Sequence, residues 1–208
     1  MEILNGLKYS FYILVHPFDG FWCAKSEKRG NAKSATIIIG LVILVYILSR
    51  QMTGFIFNFN DPKEINIISE ILSVIIPVAL WCFSNWGITT LMDGEGTLKD
   101  VYIACAYALV PLVIINIPMI VLSNVVALEE AEIYYVLNTF SVLWVGFLLV
   151  VGTMTIHQYT LKKTVLTIII AVVGMALMLF LALLFFALIQ QLINFLYIFY
   201  KEFMLRLM

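Results

Sequence analysis

The sequence predicts an all-α membrane protein: a polytopic transmembrane bundle of five helices with an N-terminal interfacial helix and a C-terminal amphipathic extension. Three observations predict this class. The 208 residues are 63% hydrophobic, with a mean hydropathy of +1.04. Only 12% of the residues are charged, which is about half the charged fraction of a typical soluble domain. The apolar residues also fall in five long runs. These values exclude a soluble globular protein, and the aromatic content of 14% excludes a disordered chain.

The segment 1–33 is predicted to lie at the cytoplasmic membrane surface as an interfacial helix. Leu7, Phe11 and Leu14 recur at helical spacing, and a basic stretch follows Trp22. An apolar face next to cationic residues is typical of a helix among anionic lipid headgroups. Membrane anchoring is the favoured interpretation, and docking of a cytoplasmic protein is the alternative. The segment lacks the features of a signal peptide, so we expect the first span itself to direct insertion.

Five apolar runs predict the transmembrane domain, which we place at residues 34–186. A hydrocarbon core roughly 30 Å thick requires about 20 apolar residues in each helix. Runs of this kind occur at 35–57, 68–91, 101–122, 135–155 and from residue 164 onward. The connections are short, so we expect no soluble catalytic domain on either face.

The last apolar run is too long for one perpendicular crossing. It extends from Thr164 to Tyr200, and 37 helical residues would be about 55 Å long. Polar residues enter this run at Gln190, Gln191 and Asn194. We therefore expect the fifth span to cover about 164–186, and residues 187–208 to form an amphipathic extension near the surface.

The distribution of lysine and arginine predicts the orientation. Eight of these residues fall in the N-terminal segment and in the second-to-third and fourth-to-fifth connections. The opposite side holds four, which are Arg50, Lys63, Lys201 and Arg206. Because cytoplasmic loops are enriched in positive residues, we expect a cytoplasmic N-terminus and an external C-terminus.

Arg50 and Glu70 are a candidate intramembrane charge pair. Arg50 lies deep in the first run, and Glu70 lies near the outer end of the second. An unpaired charge at the centre of a span costs on the order of 2.5 kcal/mol or more, which motivates the pairing hypothesis. The favoured alternative is that the first helix ends near Arg50, which extends to the outer headgroups while Phe55 and Phe57 form an aromatic belt.

Uncharged polar residues within the runs are candidates for contacts between helices. In lipid such side chains form interhelical hydrogen bonds, each worth roughly 0.6 kcal/mol. The candidates are Asn85, Thr89, Asn116, Asn138 and Thr153.

The sequence offers no motif for catalysis or for binding a metal or a cofactor. The three cysteines form no C-x-x-C pair, and the two histidines form no ligand motif. A proton relay through His157 would need acidic residues in the last three runs, which have none, so an interfacial structural role is favoured. The carboxylates of the DGEG loop (93–96) lack the spacing of a calcium site, and a tight turn is favoured there. We expect no enzyme activity.

Two stretches carry a family resemblance. The first is HPFDGFW, with His16, Pro17, Phe18, Asp19 and Trp22. The second is GEGTLKDVYIACAYALVPLVI, with Gly96 in a Gly-rich connection and a Tyr-x-Leu-x-Pro pattern formed by Tyr107, Leu109 and Pro111. On these motifs the chain resembles the Yip (Ypt-interacting protein) family, particularly its bacterial members. The Asp-Leu-Tyr-Gly-Pro motif of the eukaryotic members is absent from the N-terminal segment, so the link to small GTPases does not carry over.

The sequence and the resemblance together predict a non-enzymatic membrane helper, scaffold or assembly subunit. The resemblance implies association with membrane transport systems, including ABC importers. The expected partners are therefore the lipid bilayer and another membrane protein, such as a transporter permease, and not nucleic acid. The expected location is a bacterial plasma membrane. The alternative function is a small channel or transporter with a polar path through the bundle.

Overall fold

The computed structural model describes residues 2–58 and 66–207, which form eight α-helices and no β-strand. Lys63, one of the cations assigned to the outer side, lies outside the described residues. A short 3-10 turn, Leu128–Glu130, precedes the seventh helix. The helices are α1 (Glu2–Val15), α2 (Pro17–Ser26), α3 (Ala32–Met52), α4 (Ile67–Leu91), α5 (Leu98–Ala108), α6 (Val110–Leu122), α7 (Ala131–His157) and α8 (Leu161–Leu207).

Five helical segments are long and apolar enough to cross a bilayer. They are α3, α4, the α5–α6 pair, α7 and α8. The predicted class, an all-α integral membrane protein with five spans and a short N-terminal helix, is confirmed.

The first span ends before residue 57, which is the end predicted from the sequence. Helix α3 ends at Met52, and Thr53 is extended. The Gly54 N–H then donates to Ser123 Oγ at 3.0 Å, and a Cβ on Gly54 would lie 2.3 Å from the Ser123 carbonyl oxygen. The chain therefore turns where its backbone touches the end of α6, which the hydropathy of the run does not reveal.

The third span is divided in two at Leu109. Pro111 has no N–H to donate to the Tyr107 carbonyl one turn earlier, so the α-helical ladder is interrupted there. Short hydrogen bonds close the break, since Leu109 N–H donates to Ala106 O at 3.2 Å and Leu112 N–H to Leu109 O at 3.1 Å. Helix α4, in contrast, stays helical through Pro77.

The core lies where α5 and α7 meet the N-terminal helices and α3. Small residues on α5 let neighbouring helices approach closely, and Ala104, Ala106 and Ala108 are all buried. Large side chains fill the space around them. The buried cluster includes Ile13, Phe21, Ile38, Ile39, Ile103, Tyr107, Leu148, Val151 and Ile156.

The N-terminal helices pack against the bundle with the face that the sequence assigned to the membrane surface. Leu7 and Leu14 are half-buried against the core, and Ile13 is fully buried. Phe11 is 59% exposed. The apolar periodicity of α1 therefore serves docking to the spans as well as contact with lipid.

Helix α8 is one continuous helix of 47 residues, about 70 Å long at 1.5 Å per residue. Thr164, Thr167 and Ala171 are fully buried. Every residue from 176 to 205 is exposed. The helix does not break at Gln190, since it contains no proline, so the end of the fifth span at Phe186 stays a prediction.

Candidate functional site

The most developed polar site is the His157 cluster, which we define as Asn85, Thr89, Thr153, His157 and the loop 92–97 between α4 and α5. All four named side chains are buried. Three of them come from the second and fourth predicted runs, and the loop carries the DGEG sequence. Tertiary structure thus joins polar features that are far apart in the sequence.

The centre of the cluster is a hydrogen bond between α4 and α7. Asn85 Nδ2 donates to Thr153 Oγ1 at 3.3 Å. Asn85 Oδ1 and His157 Nε2 are buried without a hydrogen-bond partner. Both residues line a cavity of about 10 Å³, which is roughly the space that one water molecule needs. This cavity therefore has room for one bridging water.

The loop 92–97 fits against His157 because it carries glycines. The Gly96 N–H donates to His157 Nδ1 at 3.2 Å, which leaves the proton of a neutral imidazole on Nε2. A Cβ on Gly96 would lie 2.5 Å from Ile156 Cγ2, and one on Gly94 would lie 2.6 Å from His157 Nδ1. Each distance is too short for a larger residue, so the close approach requires glycine at both positions.

Lys25 joins α2 to the same site. Its Nζ donates to the Ile156 carbonyl at 2.8 Å and lies 3.2 Å from Glu95 Oε2. Glu95 also accepts a hydrogen bond from Gln158, which adopts a left-handed conformation with φ 53° just after α7. Helix α2, the loop and the end of α7 are thereby held together by one exposed carboxylate.

Tyr159 closes the cluster from the side of α8. Its hydroxyl donates to Met92 O at 2.9 Å and to Thr89 O at 3.2 Å. Burial, and secondarily the nearby Asp93 carboxylate, raise the pKa of Tyr159 above its usual value. The phenol therefore stays protonated at neutral pH and remains a donor to the end of α4.

The two charged candidates meet at the opposite end of the bundle. Arg50 Nε lies 3.6 Å from Glu70 Oε2, and the Glu70 side chain is only 12% exposed. Arg50 also donates to the Tyr46 hydroxyl at 3.2 Å. Helix α3 ends two residues later at Met52. The structure therefore contains both the contact between Arg50 and Glu70 and an end of the first helix near Arg50, which the alternative interpretation predicted. Phe57 is buried and stacks on Tyr134, whereas Phe55 is 90% exposed.

The remaining polar candidates are not brought together. Asn116 is half-buried and Asn138 is exposed, and neither side chain hydrogen-bonds to a residue that the structure describes. Thr89 donates within its own helix, to Asn85 O at 2.7 Å. Only Asn85 and Thr153 thus form an interhelical side-chain hydrogen bond among the five.

The described residues contain no group of three His, Cys, Asp or Glu side chains that could hold a metal ion. Two of the carboxylates near the loop bond to other residues of the protein. Glu95 pairs with Lys25, and Asp100 completes a capping box with Thr97 at the start of α5. The loop geometry supports a folded turn, with Asp93 at φ 56° and Gly94 N–H donating to Thr89 O at 2.7 Å.

Comparison with known proteins identifies the family to which this architecture belongs. The Yip1 domain profile matches residues 11–184. The chain belongs to the Yip1 family. No curated protein and no solved structure gives a significant match. The Yip1 match covers residues 11–15 of α1, all of α2 to α7, and residues 161–184 of α8.

The residues of the HPFDGFW stretch build the joint between α1 and α2. His16 precedes α2 and stacks on Tyr12, with ring centroids 5.0 Å apart. Pro17 occupies the first turn of α2, where its missing N–H costs nothing. Phe18, Asp19 and Trp22 are exposed.

The third-span motif anchors the same N-terminal region from inside the Yip1 domain. Tyr107 is fully buried, and its hydroxyl accepts a hydrogen bond from the Asn31 N–H at 3.2 Å. Leu109 and Pro111 mark the break between α5 and α6. Tyr107 thus connects the third span to the start of the first.

Several residues in and around the His157 cluster are not identified from the sequence. The sequence singles out neither Lys25 nor Tyr159: Lys25 enters only as one of the cations of the N-terminal segment, and Tyr159 has no predicted role. Phe21 belongs to the segment that is predicted to lie at the membrane surface. In the structure Phe21 is fully buried, with its ring 3.3 Å from where a Cβ on Gly152 would lie. The signal in the sequence for this contact is a glycine within an apolar span, here Gly152, because a glycine lets another side chain approach the helix closely.

Proposed function

We propose that this Yip1-domain protein is a non-enzymatic membrane helper, a scaffold or assembly subunit that binds another integral membrane protein. The observation that carries the proposal is that buried polar side chains of the bundle bond to each other between helices. Asn85 and Thr153 bond to each other, and the cavity beside them measures about 10 Å³. A channel or carrier needs a continuous polar path, and this arrangement supports a structural use of the polar residues instead.

The exposed length of α8 supports a partner in the membrane. Every residue from 176 to 205 is exposed, and most of these residues are apolar. This surface also includes polar side chains of the kind that form hydrogen bonds between helices, at Gln190, Gln191 and Asn194. A transporter permease, as in an ABC-type system, is the partner class that agrees with the family resemblance, and a bacterial plasma membrane is the matching location.

A flux assay separates the helper from a channel or carrier. The purified full-length chain is reconstituted in liposomes, and the passage of ions and sugars is measured. The helper function predicts the same flux as in protein-free liposomes. Solute flux that is abolished by Asn85→Leu or Asn116→Leu, in variants that keep their helical content, would overturn the proposal in favour of a channel or carrier.

A further inference from the structure

A lipid-facing groove lies between α3, α4 and α5. Its volume is about 640 Å³, within the range of about 300–1,000 Å³ that is typical of ligand sites. The inner part is lined by apolar side chains: Ile39, Ile43, Ile75, Val78, Ala79 and Phe83. This lining suits a hydrocarbon chain.

Gly40 opens the groove toward the lipid. A Cβ on Gly40 would meet no atom within 4 Å, so the glycine leaves room that a side chain would occupy. Ile75 and Phe83 across the groove are 42% and 52% exposed. The groove is therefore accessible from the hydrocarbon core and not only from water.

The end of the groove nearest the start of α3 is polar and cationic. The hydroxyls of Thr36 and Tyr102 lie 2.9 Å apart there, and Lys99 lies beside them. Lys33 stands one turn before Thr36 on the same helix. Neither lysine has an ion-pair partner among the residues that the structure describes.

The neighbouring carboxylate faces away from this positive end. Asp100 follows Lys99 in α5, but it bonds to Thr97 and lines a different cavity beside Phe21 and Lys25. The charge of Lys99 is therefore not neutralised within the groove. A basic group beside hydroxyls, next to an apolar groove between spans, complements an anionic phospholipid headgroup and its acyl chain.

We propose that this groove binds one anionic phospholipid of the leaflet on the side of the N-terminal segment. The phosphate lies at Lys99, Thr36 and Tyr102, and an acyl chain lies along Gly40. The site is independent of the helper function, because it lies on α3, α4 and α5 and not on the exposed part of α8.

Native mass spectrometry of the full-length chain in mild detergent tests the site. The probes are phosphatidylglycerol and phosphatidylethanolamine with identical acyl chains. We expect one tightly bound phosphatidylglycerol and weaker binding of phosphatidylethanolamine. Lys99→Gln should weaken phosphatidylglycerol binding by about fivefold, since one lysine near a lipid surface contributes on this scale. Lys162→Gln, which removes a lysine away from the groove, should leave binding unchanged.

Substitutions that fill the groove provide a second test of the site. Gly40→Leu should lower the binding of both lipids, whereas Gly146→Leu should not, because Gly146 lies on α7 in equally open space. Equal binding of the two lipids by the wild-type chain would overturn the proposal, and so would equal effects of the two glycine variants. A wild-type dimer that Gly40→Leu dissociates would show that a second copy, and not a lipid, fills the groove.

Discussion

At the residue scale, glycine is required where the backbone lies close to atoms of another segment. Gly94 and Gly96 touch His157, whereas Gly146 borders open space on α7. The two kinds of glycine look alike in the sequence. Their difference follows from the loop 92–97 folding onto the end of α7, where the His157 ring fills the space that a side chain would need.

Substituting alanine at these glycines should separate the two kinds. Gly96→Ala places a methyl 2.5 Å from Ile156 Cγ2, and such overpacking costs about 1–3 kcal/mol. Gly146→Ala should be neutral or stabilise the protein by roughly 0.5–1 kcal/mol, because glycine is unfavourable within helices. Thermal unfolding in detergent measures both variants. Equal unfolding temperatures would contradict the tight fit at Gly96.

The charged pair is also a property of individual residues. The side chain of Glu70 is more buried than that of Arg50. The exposed fraction is 12% for Glu70 and 32% for Arg50. Removing one partner leaves the other charge uncompensated in a region of low dielectric constant. The partial exposure of Arg50 limits this cost, since its guanidinium also reaches the Tyr46 hydroxyl.

A double-mutant cycle tests the pair. Glu70→Gln alone should destabilise the detergent-solubilised protein by about 1–3 kcal/mol, which is below the cost of breaking a fully buried pair because Arg50 is partly exposed. Adding Arg50→Gln should recover part of the loss. Strictly additive changes in the free energy of unfolding would indicate instead that Arg50 interacts with the headgroups alone.

At the element scale, α2 is fixed to the spans by one aromatic side chain and one lysine. Phe21 is fully buried against Gly152 of α7, and Lys25 binds the Ile156 carbonyl at 2.8 Å. On the same helix, Phe18 is 52% exposed. Helix α2 is therefore part of the folded bundle and not only a lipid anchor.

Two identical substitutions on α2 test this docking. Phe21→Ala should destabilise the protein by about 3–5 kcal/mol, as expected for removal of a buried phenylalanine. Phe18→Ala serves as the matched control and should change the unfolding temperature much less. Chemical unfolding in detergent provides the comparison. A larger loss for Phe18→Ala would show that α2 is held by the membrane surface and not by α7.

The elements differ in how far the sequence determines them. The run 68–91 corresponds to α4 within one residue, because most of the α4 surface is exposed and apolar, so hydropathy alone defines its bounds. The end of α3 was predicted five residues late, since Gly54 turns against Ser123, a contact between distant segments. The polar pair of Asn85 and Thr153 was among the sequence candidates. Its connection to Lys25 and Tyr159 depends on tertiary structure and was missed.

At the scale of the whole molecule, orientation determines which partners each end meets. The end that holds α1, α2 and the loop 92–97 also carries most of the lysine and arginine residues. From the positive-inside tendency we expect this end to lie in the cytoplasm. Helix α8 starts at the same end and continues for 47 residues, so its far end is expected outside.

Reporter fusions test this orientation. A reporter fused after residue 206 should be active on the external side, and one inserted at Lys162 should be active in the cytoplasm. The reason is that α8 is long enough to cross the bilayer, and eight of the 12 Lys and Arg residues of the chain lie on the side where α8 starts. If both reporters indicate the same side, α8 does not cross and the five-span topology fails.

The central claim is that the chain acts by binding another integral membrane protein. The most direct measurement compares the membrane proteomes of cells with and without this chain. The account predicts that at least one other integral membrane protein loses abundance on deletion and recovers when the wild-type chain is restored, because an unpartnered subunit is degraded. An unchanged abundance of every other integral membrane protein after deletion would contradict the helper function.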